Sequence, residues 1–118
     1  PEDFDDTTRS LKSGQIERNA RLAGSLCDAI ITPQPGNITF PIMKALCGEG
    51  IVVTEEEALQ AMVLGFNRLK IVLDPCGYVA LAAALFRGDA ISGDEVIVVA
   101  SGGNVEPDVM RDALSRYA

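Results

Sequence analysis

Val96-Ile97-Val98-Val99-Ala100, running directly into Ser101-Gly102-Gly103-Asn104, is the stretch that decides the fold. Five consecutive apolar residues, four of them β-branched, with no polar residue on either alternating face, predict a strand buried on both sides. The tandem glycines after Ser101 predict a tight turn at the carboxyl end of that strand. Working backward, Gly88, Ser92 and Gly93 mark a loop, and Tyr78 to Phe86, rich in alanine and leucine, predicts a helix buried on most sides. Ile71-Val72-Leu73 leads into the turn Asp74-Pro75-Cys76-Gly77 as a second short strand.

Further upstream, Thr54-Glu55-Glu56-Glu57 is a capping-box start, with Thr54 as the cap and Glu57 three residues on. The helix it opens should reach about Lys70, because Leu59, Met62, Val63, Phe66 and Leu69 fall on one face. Ile51-Val52-Val53 before it reads as another strand. Asn37 or Thr39 is placed to cap a helix carrying Ile42, Met43, Ala45 and Leu46 and ended by Gly48, after the rigid breaker Pro33-Gln34-Pro35-Gly36-Asn37. Residues 1–24 are polar and lack a lasting apolar period, predicting loop with room for a short helical turn, while 25–118 supply the core. A helix after residue 104 closes the chain. Strands alternating with helices predict an α/β fold with an open, mostly parallel sheet flanked by helices, whose ligands sit beyond the carboxyl ends of the strands.

Composition removes several classes of function. The chain has 118 residues, 47% of them hydrophobic, enough for one core, and a formal charge of -7 argues against nucleic-acid and anionic-membrane partners. With no histidine, a Ser-His-Asp triad, a Cys-His dyad and an imidazole zinc site are all ruled out. Neither G-x-G-x-x-G nor G-x-x-x-x-G-K-[ST] occurs. Cys27, Cys47 and Cys76 have no paired spacing and predict reduced, mostly buried thiols in a cytoplasmic protein. No apolar run approaches membrane-span length. The first residues, Pro1-Glu2-Asp3-Phe4-Asp5-Asp6, read as a cut end inside an acidic loop.

Four segments in one order carry a resemblance: Pro35-Gly36-Asn37-Ile38-Thr39-Phe40, Val53-Thr54-Glu55-Glu56-Glu57, Leu69-Lys70-Ile71-Val72-Leu73-Asp74-Pro75 with Gly77, and Ser101-Gly102-Gly103-Asn104-Val105. The series resembles the serine/threonine dehydratase and serine racemase family of fold-type II pyridoxal-phosphate (PLP) enzymes, over essentially the whole chain. The resemblance implies a C-terminal fragment of the large, tryptophan-synthase-β-like cofactor domain, from the shorter, degradative type of dehydratase. It implies elimination of the β-hydroxyl of a small hydroxy amino acid, threonine or serine, to a 2-oxo acid and ammonia, with serine racemase or hydroxyaspartate dehydratase as the alternative. A homo-oligomer and a missing N-terminal half are implied as partners. The family's PLP-bearing lysine and phosphate-binding glycine run are expected upstream, since Lys12, Lys44 and Lys70 stand in other contexts.

In the family, a serine at the position of Ser101 bonds the pyridine nitrogen of PLP. A neutral hydroxyl does not hold that nitrogen protonated, so the ring is a modest electron sink, sufficient for elimination. The other reading of Ser101 is a turn hydroxyl satisfying backbone. Gly102, Gly36, Asp74 and Cys76 are implied around the cofactor. Asp74 replaces a glutamate common in the family, and Cys76, standing where threonine, serine or glycine is common, lines the ring edge or simply packs. Phe4 through its carbonyl and Asp6 through its carboxylate match the end of a divalent-cation loop, together with a glutamate just before Pro1. These oxygen donors suit Mg²⁺, Mn²⁺ or Ca²⁺; a solvated acidic terminus is the other reading. Lys70 and Asn104 match positions that contact a nucleotide effector, though a surface lysine at a helix end explains Lys70 as well. From a different class, a receiver-type signalling module has similar length, but it needs a strand before its acidic pair and a lysine after a late strand. Neither is present.

Overall fold

The computed structural model describes all 118 residues, Pro1 to Ala118, as two compact units, 1–52 and 53–118. In the first, helix α1 spans Asp6–Ser13 and α2 spans Thr39–Leu46, with a single 3-10 turn at Asp28–Ile30 between them. In the second, α3 spans Glu55–Leu64 and continues as one wide π turn, Gly65–Leu69. A 3-10 turn at Pro75–Tyr78 leads into α4, Val79–Phe86, and α5 covers Pro107–Tyr117.

Helix α1 forms where the polar composition predicts loop. Its stability comes from its surface and its end: Arg9 pairs with Asp5 one turn earlier at 2.9 Å, and Gly14 terminates it at φ 76, in the left-handed region that glycine tolerates. Helix α2 lies where the apolar spacing predicts it, but no side chain caps it. Thr39 turns its hydroxyl back to the Gly36 carbonyl at 3.2 Å, Phe40 is the buried residue, and Ile42 and Leu46 are exposed.

Helix α3 begins as the sequence predicts. The Thr54 hydroxyl accepts from the Glu57 amide at 3.1 Å, and the Glu57 carboxylate accepts from the Thr54 amide at 2.8 Å, satisfying two donors that a helix start otherwise leaves open. Ala58, Leu59, Ala61, Met62 and Val63 of α3 form the core of the second unit with Val53, Leu73, Tyr78, Ala82 of α4 and Ala113 of α5. The wide turn has a packing cause. A Cβ at Gly65 would run into the Tyr78 ring, so backbone and ring approach as only glycine permits, and the Tyr78 hydroxyl donates to the Ile71 carbonyl at 2.8 Å.

The predicted sheet is absent. No residue is in a strand, and residues 51–53, 71–73 and 96–100 run as irregular segments. A parallel ladder needs an adjacent strand edge to receive each row of N–H and C=O groups, and these three segments do not pair with one another. Ile97 is 95% exposed and Val99 72%, so the segment read as buried on both faces is uncovered here. Helix α4 is likewise less enclosed than its composition predicts, with Ala82 alone fully buried and Leu85 exposed. Cys27 is buried, but Cys47 is exposed and Cys76 half-buried, and there is no disulfide.

Candidate cofactor site

Two turns meet in the second unit. The first, Asp74-Pro75-Cys76-Gly77, opens with extended backbone at Asp74, and the proline sits at the first position of the 3-10 turn, where its missing N–H costs nothing. One oxygen of the Asp74 carboxylate accepts from the Gly77 amide at 2.9 Å, and the same amide lies 3.0 Å from the Asp74 carbonyl. The second carboxylate oxygen crosses to the other turn and accepts from the Gly103 amide at 3.1 Å. An ionised carboxylate is an acceptor at both oxygens, which suits a place between two N–H donors.

Glycine is required where the turns touch. A Cβ on Gly77 would run into the Ser101 carbonyl oxygen, and one on Gly102 would meet the Asp74 carboxylate. Gly102 also has φ 89, a backbone conformation that L side chains rarely adopt. Ser101 is therefore set on a turn fixed from two sides, while its own side chain is exposed and makes no hydrogen bond within the chain. The hydroxyl is available to a neutral or weakly basic partner from outside. The satisfied-turn-hydroxyl reading of Ser101 finds no partner atom here.

The remaining candidates divide between the two units. Cys76 is half-buried within the same turn. Gly36 is in the first unit, where its carbonyl accepts from the Phe40 amide at 2.9 Å and begins α2. Lys70 adopts φ 60 at the end of the wide turn and donates to the Asn67 carbonyl at 2.8 Å, closing the turn with its own charge. Asn104 is exposed. Lys12 is exposed and Lys44 donates to the Gly14 carbonyl at 3.0 Å.

A second polar center occupies the first unit. Asp6, 3% exposed, is the first residue of α1, and one of its carboxylate oxygens accepts from the Asn19 amide nitrogen at 2.8 Å. The same nitrogen donates to the Thr32 carbonyl at 2.7 Å, and the Asn19 side-chain oxygen accepts from Arg9 at 2.9 Å. The other Asp6 oxygen is buried without a partner. Phe4, also buried, carries the Arg21 guanidinium 5.5 Å from its ring center. No group of three or more histidine, cysteine, aspartate or glutamate side chains is assembled for a metal. The sequence does not single out Asn19. It lies 13 residues from Asp6, in a polar stretch where nothing in the local pattern separates it from its neighbours.

Residues 1–102 match the family model of the pyridoxal-phosphate dependent enzymes. The chain belongs to that family. Within it, the chain is 39% identical over 105 residues to serine racemase of Dictyostelium discoideum, an alignment covering 86% of this chain and 32% of that protein. It is 34% identical over 101 residues to L-threonine ammonia-lyase of Thermotoga maritima, covering 86% of this chain and 25% of that one. The crystal structure of a threonine deaminase from T.th. superposes with a TM-score of 0.83 at 37% identity, over 90% of this chain and 38% of that chain. The chain thus spans between a quarter and two fifths of the length of these relatives. No helix is long and apolar enough to cross a membrane.

Proposed function

We propose that this chain is the C-terminal part of the cofactor domain of a PLP-dependent ammonia-lyase, which dehydrates a β-hydroxy amino acid, threonine or serine, to a 2-oxo acid and ammonia. The observation that carries the reading is the Ser101 hydroxyl, free of any partner in the chain and held on a turn fixed by Asp74, Gly77 and Gly102. PLP, when bound, supplies the electron sink that labilises the bond to the α-proton. Ser101 would hold the pyridine nitrogen by a neutral hydrogen bond. Gly102, with no side chain, seats the Asp74 carboxylate beside that contact, and Cys76 lines the ring edge or packs within its turn. Gly36 would be a further cofactor contact on the family resemblance alone. The phosphate-binding glycine run and the PLP-bearing lysine belong to the rest of the enzyme, which would assemble as a homo-oligomer. Residues 51–53, 71–73 and 96–100 would join its parallel sheet, a reading supported by the exposure of Ile97 and Val99 on a segment apolar on both faces.

Racemisation of serine is a second reading, favoured by the 39% identity to a protein named serine racemase; hydroxyaspartate dehydration is a third within the same family. For the cation, the orphaned, buried oxygen of Asp6 supports a hard divalent ion, Mg²⁺, Mn²⁺ or Ca²⁺, with the Phe4 carbonyl as a further donor. Lys70 and Asn104 would serve a nucleotide effector. Three unbridged cysteines accord with a reducing, cytoplasmic setting.

Replacing Ser101 in the full-length enzyme tests the site. Ser101→Ala removes one hydrogen bond of roughly 0.5–1.5 kcal/mol and leaves a ring nitrogen unpaired at about 1–3 kcal/mol. Turnover is expected to fall roughly ten- to a thousandfold, at about tenfold per 1.36 kcal/mol. Ser101→Asp should raise racemisation or transamination relative to elimination, because a carboxylate favours the protonated ring. Unchanged rate and product ratio in both variants would remove Ser101 from the site.

A further inference from the structure

The Asp74 carboxylate is the one charged group that touches both turns of the candidate site, and both of its oxygens are spent on backbone amides, Gly77 at 2.9 Å and Gly103 at 3.1 Å. These amides are 26 residues apart in sequence, so the carboxylate closes the gap between two segments that no strand pairing joins. The close fit of Gly77 under the Ser101 carbonyl prevents movement of residue 101 toward the first turn, and the seating of Gly102 on the carboxylate fixes the next peptide. On the reading of Ser101 given above, we infer that Asp74 is a positioning residue. It acts through Ser101, holding the 101–103 backbone in register and leaving the exposed serine hydroxyl without a partner in the chain. Its negative charge is taken up by two N–H dipoles, which is how a carboxylate can stand in this site while the ligand contact stays neutral. Misplacing a contact group by about 1 Å is enough to cost on the order of a hundredfold in rate, so the tie has kinetic leverage without touching the reacting atoms.

The inference is tested in the full-length enzyme with Asp74→Ala, the near-isosteric Asp74→Asn and the charge-preserving Asp74→Glu. The first measurement needs no cofactor: hydrogen–deuterium exchange, in the PLP-free protein, of peptides covering residues 73–78 and 100–105. Loss of a charge-assisted tie should speed exchange in both peptides by roughly tenfold or more in Asp74→Ala. Asp74→Asn, which keeps one acceptor but turns an NH₂ toward the other amide, should fall between. The second measurement is a cycle with Ser101→Ala, read by kcat and by the absorbance and fluorescence of bound PLP. Asp74→Ala should lower kcat roughly tenfold or more in the Ser101 enzyme with KM little changed, yet by less than about twofold in the Ser101→Ala background. Asp74→Glu should recover part of kcat. Exchange unchanged in both peptides, or losses that multiply independently in the cycle, would overturn the inference and make Asp74 a direct contact or a bystander. A wild-type enzyme without PLP-dependent lyase activity would instead overturn the functional reading, and the cofactor-free exchange would still decide whether Asp74 ties the turns. If Asp74→Ala does not fold, Asp74→Asn carries both measurements.

Discussion

Asp74 and Asp6 are both drawn into the fold, and they differ in how far the chain satisfies them. Asp74 gives one oxygen to the Gly77 amide and the other to Gly103. Asp6 gives one oxygen to Asn19 and leaves the other buried with nothing to bond. A carboxylate whose acceptors are all used inside the chain is part of the scaffold, and removing it leaves donors unpaired. A buried carboxylate with an unused oxygen carries a desolvation cost that an incoming cation can offset. The same side chain therefore acts as internal bracing in one region and keeps an unused acceptor in the other.

The Asp74 side of this contrast is broken most severely at Gly77. Gly77→Ala drives a Cβ against the Ser101 carbonyl, a backbone atom that cannot swing aside as a side chain would. The two turns must separate, and the Gly103 tie goes with them. Overpacking of this kind costs about 1–3 kcal/mol and occasionally more, and the displaced Ser101 adds its own loss. In the full-length enzyme, kcat should fall by roughly a hundredfold or more, with a lower Tm for the PLP-free protein. Near-wild-type turnover would show that the close approach of the turns is not part of the working site.

How much of this was legible in the sequence follows from where the information sits. The capping box at Thr54 and Glu57 was readable because a helix start is decided within four residues, and the bonds form as read. The turn at Ser101 was readable because tandem glycines report a local backbone need, which φ 89 at Gly102 satisfies. The sheet was not obtained, since a run such as residues 96–100 reports a propensity, while the ladder depends on strand edges that its own residues do not specify. The crossing of Asp74 to Gly103 and of Asn19 to Asp6, over 29 and 13 residues, is tertiary, and no local period encodes either. Helix α1 is longer than the short helical turn read for residues 1–24, because its stabilising groups are an ion pair and a terminal glycine, not an apolar stripe.

Asp6 sharpens the contrast from the other side. In the full-length enzyme, Asp6→Ala should leave the metal-free Tm close to wild type, because the lost bond from Asn19 is balanced by relief of the buried, partnerless oxygen, and Asn19 keeps Thr32 as an acceptor. With Mg²⁺ or Mn²⁺ the two proteins should diverge. A cation binding only the folded state at about 100 times its Kd adds about 2.7 kcal/mol, and this increment should be reduced or lost in the variant. A thermal-shift titration with each ion gives the answer, and an identical metal response in both proteins would take Asp6 out of the ligand set. Asp74→Ala is expected to show the opposite pattern, a loss that is the same with and without metal.

The smallest effect is expected at Tyr78, the residue that ends the Asp74 turn and anchors it to the core. Its hydroxyl donates to the Ile71 carbonyl at 2.8 Å, and its ring packs against Gly65, so the turn is anchored at Tyr78 as Asp74 ties it to residue 103. Tyr78→Phe keeps the ring and removes one neutral hydrogen bond, a loss of about 0.5–1.5 kcal/mol. Ile71 is 41% exposed, which lets water take over part of the carbonyl's bonding and favours the lower end of that range. Burial raises the Tyr78 phenol above its ordinary value of 10.0. The protonated, neutral form is therefore the one the fold prefers. A group whose folded-state pKa is raised contributes its full stability below the unfolded value, and that contribution is lost as pH rises from about 10 through the folded pKa. Wild-type stability should consequently decline across this alkaline window with a component that Tyr78→Phe lacks, so the gap between the two proteins should narrow or reverse there. Urea unfolding at about pH 8 and about pH 10.5, on either side of the ordinary phenol value, measures both parts. A gap of the same size at the two pH values would mean that the phenol does not titrate against burial, and the anchor beneath the Asp74 turn would then be the ring alone.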